Sequence, residues 1–148
     1  MSSVDAVQKS SERFEVDSDT TIFYTEGECW RLALEIQRQA GLPIVALGIY
    51  WPESKYELDQ GGLFEWAHIA NILPDGRILD ITGAWAEEDF VKHWNLKFAE
   101  DFILLPYSDK DLRDYLKGDY HKYAFSEVIP RLEVDAALTL ERANFVRE

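Results

Sequence analysis

EWAHIANILPDGRILDIT, residues 65–82, is the stretch on which the reading of the chain turns. Two apolar-rich runs, 65–73 and 77–82, flank Pro74-Asp75-Gly76, the strongest hairpin signal in the sequence. They are expected to lie side by side as antiparallel strands. With a three-residue loop at 74–76, Leu73 pairs with Arg77, so His68 falls opposite Thr82 and diagonal to Asp80 on one face of the sheet. A two-residue loop would slip the pairing by one and turn these side chains to opposite faces. The His68 face also carries Trp66, Ala70, Ile72 and Ile78, apolar residues suited to packing under a helix.

That helix is expected upstream. From 28 to 40 the apolar residues Cys29, Leu32, Ala33, Ile36 and Ala40 recur at intervals of three and four, one face of an α-helix, with Gly41 and then Pro43 as stop signals. Thr25-Glu26-Gly27-Glu28 offers a Thr capping candidate and two acids where a helix start favours them. Cys29 therefore sits in the first turn. Residues 44–51, apolar with β-branched and aromatic side chains, read as a strand buried on both sides, and 52–62, charged and ending in Gly61-Gly62, as a loop.

The remaining elements are read from caps and breakers. Residues 87–94 suggest a short helix, 101–105 a strand closed by Pro106, and 108–117 a helix capped by Ser108 and stopped by Gly118. After Pro130, Leu132, Ala136, Leu140 and Ala143 describe an amphipathic helix at about 131–147. Near the start, 13–16 and 21–24 each read as a short strand, and 1–12 as a loose leader or short helix. The expected organisation is thus a leader at 1–12 and one domain at 13–148. Its fold class is α+β, an antiparallel sheet with helices packed against it.

At 148 residues the chain has the commonest size of one domain, and five Trp, seven Tyr and eight Phe supply ample core material. A net charge of -13 opposes phosphate backbones, so no direct nucleic-acid binding is expected. One cysteine, Cys29, excludes an intramolecular disulfide and a multi-cysteine zinc site. The first eleven residues lack the basic and apolar regions of a signal peptide, and no apolar run approaches a membrane span, so the expected location is cytoplasmic, with no membrane partner. His93 and His121 show no ligand spacing with His68; neither metal nor cofactor is expected.

One Cys on a helix, one His on a strand and one Asp on the next strand give the order Cys29, His68, Asp80. A thiolate is the attacking species in cysteine chemistry, and a helix N-terminus and a neighbouring imidazolium are the two usual ways to favour it. His68 can be that neighbour, with Asp80 holding the imidazole through its second nitrogen. An oxyanion would meet the Cys29 backbone N–H and a second donor, for which Gln60 in the glycine-adjacent loop is the candidate.

The segments Gly27-Glu28-Cys29-Trp30-Arg31-Leu32-Ala33, Trp66-Ala67-His68-Ile69 and Arg77-Ile78-Leu79-Asp80-Ile81-Thr82-Gly83 together resemble the transglutaminase-like branch of the papain-like cysteine-enzyme superfamily. The resemblance covers about residues 25–85. It implies a papain-like or transglutaminase-like core, with Cys29 as nucleophile, His68 as general base and acid, and Asp80 as the orienting acid. It departs from the family phrase in one respect: Ile69 follows the His, where the family has an aromatic residue, and Trp66 precedes it. Trp66 is accordingly the candidate for the substrate groove.

Each of these residues also has a plainer reading. A lone Cys on an apolar helix face is usually a small core residue, a strand His a satisfied one, and an Asp at a strand end a local cap. The order of all three on these elements favours the chemical reading: a cysteine hydrolase or acyltransferase acting on an amide, isopeptide or thioester of a protein or peptide through an acyl-Cys29 intermediate. The alternative is a non-enzymatic acidic protein that binds or inhibits a basic partner protein.

Overall fold

The computed structural model describes residues 10–51, 63–116 and 131–145. Among the described residues the elements run β1 (Glu12–Arg13), α1 (Ser18–Thr25), α2 (Cys29–Ala40), β2 (Ile44–Trp51), β3 (Leu63–Ile72), β4 (Ile78–Asp80), β5 (Gly83–Trp85), α3 (Glu87–Phe98), β6 (Ile103–Pro106), α4 (Asp109–Leu116) and α5 (Leu132–Arg142). The six strands form one sheet in the order β1-β5-β4-β3-β2-β6, with each neighbouring pair antiparallel. The architecture is α+β. Gln60, the loop at 52–62, Gly118 and His121 lie outside the described residues.

The hairpin has the register that a three-residue loop requires. The Leu73 amide donates to the Arg77 carbonyl at 2.8 Å, and Ile72 then pairs with Ile78 and Asn71 with Leu79. Asp75 shapes the loop by accepting from the Arg77 amide at 3.0 Å. Strand β4 is only three residues long. At Asp80 the chain turns through Ile81 and Thr82 and returns as β5, which pairs Ile78 with Trp85, Leu79 with Ala84 and Asp80 with Gly83.

Two expectations about sheet faces are corrected. Helix α2 packs on the face opposite His68: Cys29, Trp30 and Ala33 cluster with Ile44, Ala46 and Ile69. The His68 face is covered by α3, whose Phe90 and Trp94 pack with Val45, Leu47, Ala70 and Ile78. Trp66 does not share that face, because pairing steps from Leu47↔His68 to Gly48↔Trp66 and leaves Ala67 as the extra residue of a bulge. The bulge moves Trp66 and Phe64 to the α2 side, where both pack against the cluster containing Cys29.

The run at 21–24 is helical, not extended. Asp17 caps α1, its carboxylate accepting from the Thr20 amide at 2.9 Å and from the Thr20 hydroxyl, and this start outweighs the β preference of Thr21-Ile22-Phe23-Tyr24. Those cap hydrogen bonds hold the Asp17 carboxyl below the usual carboxylate range. Other boundaries move as well: the first strand is Glu12–Arg13 instead of 13–16, α3 runs on to Phe98, β6 begins at Ile103, and α5 ends at Arg142. Among the described residues no helix is long and apolar enough to cross a membrane.

Candidate active site

Helix α2 begins at Cys29. Its N-cap, Glu28, makes no side-chain capping bond to a backbone amide; its carboxylate accepts from the Arg31 guanidinium at 2.6 Å instead. Gly27 precedes it at φ +125°, a backbone conformation open to glycine that lets the chain reverse between α1 and α2. At the other end Gly41 closes the helix in the left-handed conformation, as the sequence suggests. The Asn71 side chain fixes α2 to the sheet, donating to the carbonyls of Ala33 at 3.0 Å and Leu42 at 3.3 Å.

Cys29 then meets β3 at its edge. The Leu73 amide points toward β4, and amides two and four residues earlier point the same way in an antiparallel strand. Ile69 is one of them. Strand β4 has ended at Asp80 before reaching it, so no strand carbonyl is available there. The Cys29 sulfur fills the place, accepting the Ile69 N–H at 3.3 Å.

One residue away, the His68 ring spans the gap between the thiol and the turn. Its Nε2 hydrogen-bonds Asp80 Oδ2 at 2.9 Å, and both side chains are almost fully buried, at 2% and 3% exposure. Its Nδ1 is buried and has no hydrogen-bond partner among the described residues. Trp94 stacks on the ring with centroids 4.3 Å apart, and Phe90 lies at 6.0 Å. Burial opposes charge on this imidazole, but the Cys29 thiolate and the Asp80 carboxylate favour it more, and the ring is pushed up to about 9. An imidazolium is therefore the preferred form at neutral pH.

Behind Asp80 stand residues that the sequence reading passed over. Asp80 Oδ1 accepts from the Thr82 amide at 2.8 Å and from the Thr82 hydroxyl, and that hydroxyl accepts from Trp85 Nε1 at 3.0 Å. The available signal was Asp80-Ile81-Thr82-Gly83, an Asp whose carboxylate can bond the backbone two residues on, followed by a glycine. It marks a turn and thus a further strand.

The structure brings Cys29, His68 and Asp80 together and packs Trp66 against the cluster containing Cys29. Among the described residues no group of three or more His, Cys, Asp or Glu side chains is arranged to hold a metal ion. No protein-family model matches the chain, and no curated protein or solved structure does either.

Proposed function

We propose that this protein is a cysteine-dependent hydrolase or acyltransferase of transglutaminase-like character, acting on an amide, isopeptide or thioester. The observation that carries the reading is the linked set of Cys29 at the start of α2, His68 with one nitrogen free, and Asp80 on the other nitrogen. The Cys29 thiolate attacks the substrate carbonyl carbon, and the carbonyl electron pair moves to oxygen. The backbone amide of Cys29, at the start of α2, is the donor offered to the oxyanion. As the tetrahedral species collapses, His68 Nδ1 gives its proton to the leaving group and an acyl-Cys29 thioester remains. Neutral His68 then removes a proton from the attacking water or amine, the thiolate leaves, and the imidazolium is restored. Trp66 supports the reading as an aromatic wall for an extended substrate.

A second reading, an acidic protein that binds a basic partner on a retained cysteine-centred scaffold, rests on two observations: the charge of -13 and the 4% exposure of Cys29. Partner binding of that kind weakens steeply with added salt and ignores thiol alkylation. Alkylation by iodoacetamide across pH separates the readings. Native protein, His68→Ala and unfolded protein are compared. The catalytic reading expects native Cys29 to react faster than the unfolded thiol well below about pH 8, with the advantage lost in His68→Ala. Slow reaction, the same in native protein and variant, overturns it.

A further inference from the structure

The hydrogen bonds behind Asp80 have a direction. An indole N–H can only donate and a carboxylate can only accept, so the hydroxyl between them has one arrangement: it receives from Trp85 Nε1 and gives its own proton to Asp80 Oδ1. The Thr82 amide gives a second bond to the same oxygen, at 2.8 Å. Oδ1 is thereby occupied, and Oδ2 is presented to His68 at 2.9 Å. Facing an acceptor oxygen, His68 Nε2 must carry hydrogen, which leaves Nδ1, the nitrogen with no partner among the described residues, to exchange protons with the thiol.

We propose that Thr82, oriented by Trp85, is a positioning residue that fixes which imidazole nitrogen of His68 is available to Cys29. The proposal rests on the cysteine-enzyme reading and assigns it two residues that act through Asp80. The turn is well placed to hold such a link. The Thr82 carbonyl accepts from the Phe14 amide at 2.9 Å, which ties the turn to the chain beyond β1. A Cβ at Gly83 would lie 2.4 Å from the Glu12 carbonyl oxygen and 3.2 Å from Trp85 Nε1, so glycine permits the approach of both. Trp85 is buried and is contacted by His93, stacked at 4.8 Å, and by the Arg13 guanidinium at 5.1 Å.

The charges around His68 do not replace this control. From α2 it feels Cys29, from the β4 turn Asp80 and from α3 His93, and the Lys97 ammonium lies 5.0 Å from the Trp94 ring that stacks on it. His93 is held below the ordinary imidazole range by burial and by the nearby Arg13 and Lys97, so it brings little charge near neutrality. Asp80 is the group that holds His68 Nε2, and Thr82 engages the other oxygen of that carboxylate.

Thr82→Val removes the hydroxyl and keeps the β-branched shape; Thr82→Ser restores the hydroxyl; Trp85→Phe keeps a ring against His93 and removes the indole N–H. Two readouts are taken on each: the rate of Cys29 alkylation as a function of pH, and the ¹⁵N resonances of the His68 ring recorded above about pH 9, where the ring is neutral and the two tautomers are distinguished. Thr82→Val should alkylate about tenfold more slowly near pH 7 and show a mixed tautomer population. Thr82→Ser should return to within about twofold of the native rate, and Trp85→Phe should fall between. Should Thr82→Val fail to fold, the Ser and Phe variants carry the comparison. A native tautomer pattern and pH profile in Thr82→Val, or in Trp85→Phe where Val does not fold, overturns the proposal. Failure of the underlying enzyme reading looks different: the native protein itself then shows no advantage over the unfolded thiol, while the ¹⁵N pattern still reports whether Thr82 sets the tautomer.

Discussion

His68 keeps its charge against the cost of nearly complete burial, and the sign of that balance sets a pH dependence. The ring is raised from an ordinary value of 6.5 to about 9, with burial working against the rise and the Cys29 and Asp80 charges working for it. In the proposed mechanism the acid that protonates the leaving group is therefore present through neutral pH and is lost as pH rises through about 9. Turnover of an amide substrate should fall on that alkaline limb. Asp80→Asn removes one of the two favourable charges, so the limb should move to lower pH, and turnover at neutral pH should drop on the order of 10⁴-fold, as expected when an orienting carboxylate is lost. A pH–rate profile of native and variant protein checks both. A limb unmoved in the variant would show that Asp80 does not govern the ring.

Between residues and sheet, the turn after β4 carries an expectation of its own. Gly83 pairs with Arg13 across the β1–β5 ladder and comes so close to the Glu12 carbonyl that a methyl group has no room without a backbone shift. Gly83→Ala should cost about 1–3 kcal/mol, read from chemical denaturation. It should also slow Cys29 alkylation by pushing Trp85 from Thr82, whereas a change of stability alone would leave that rate intact. Much of this level could be read in the residues: Pro74-Asp75-Gly76 implied the pairing of Leu73 with Arg77, and the spacing from Cys29 to Ala40 implied α2. The Ala67 bulge could not be read. It arises from how β3 pairs with β2, a contact between distant segments, and the apolar pattern of Phe64, Trp66 and Ile69 fits either face. Likewise the β-prone 21–24 segment turned helical because of a capping bond from Asp17, a local effect that composition alone ranks too low.

The described structure as a whole joins early and late parts of the chain. Helix α5 packs beside α1 and α2, with Ala136, Leu140 and Ala143 in one cluster with Tyr24, Leu32 and Ile36. At the seam the Tyr24 hydroxyl donates to buried Asp135 at 2.8 Å, and Arg131 reaches the same carboxylate at 3.2 Å. Burial and this acidic neighbour push the tyrosine well above the usual phenol range, so it remains a donor at any ordinary pH. Tyr24→Phe strips Asp135 of one partner in a site with 5% exposure and should cost about 1–3 kcal/mol. Thermal or denaturant unfolding tests it; a neutral substitution would mean that Arg131 alone satisfies the carboxylate. The periodicity of 132–143 announced a helix with an apolar face, but nothing in it named α2 as the surface that this face covers, because packing partners are chosen in three dimensions.

A last consequence follows from the sulfur that stands where a strand carbonyl would be. The Ile69 amide belongs to the sheet, and its acceptor is the atom expected to change chemically. In the proposed mechanism, converting that sulfur from thiolate to thioester removes most of its power to accept a hydrogen bond, so the strand edge would loosen on acylation and tighten again on release. Under that proposal the scaffold would register the progress of the reaction, and one sulfur would serve both as nucleophile and as a fastening of the fold.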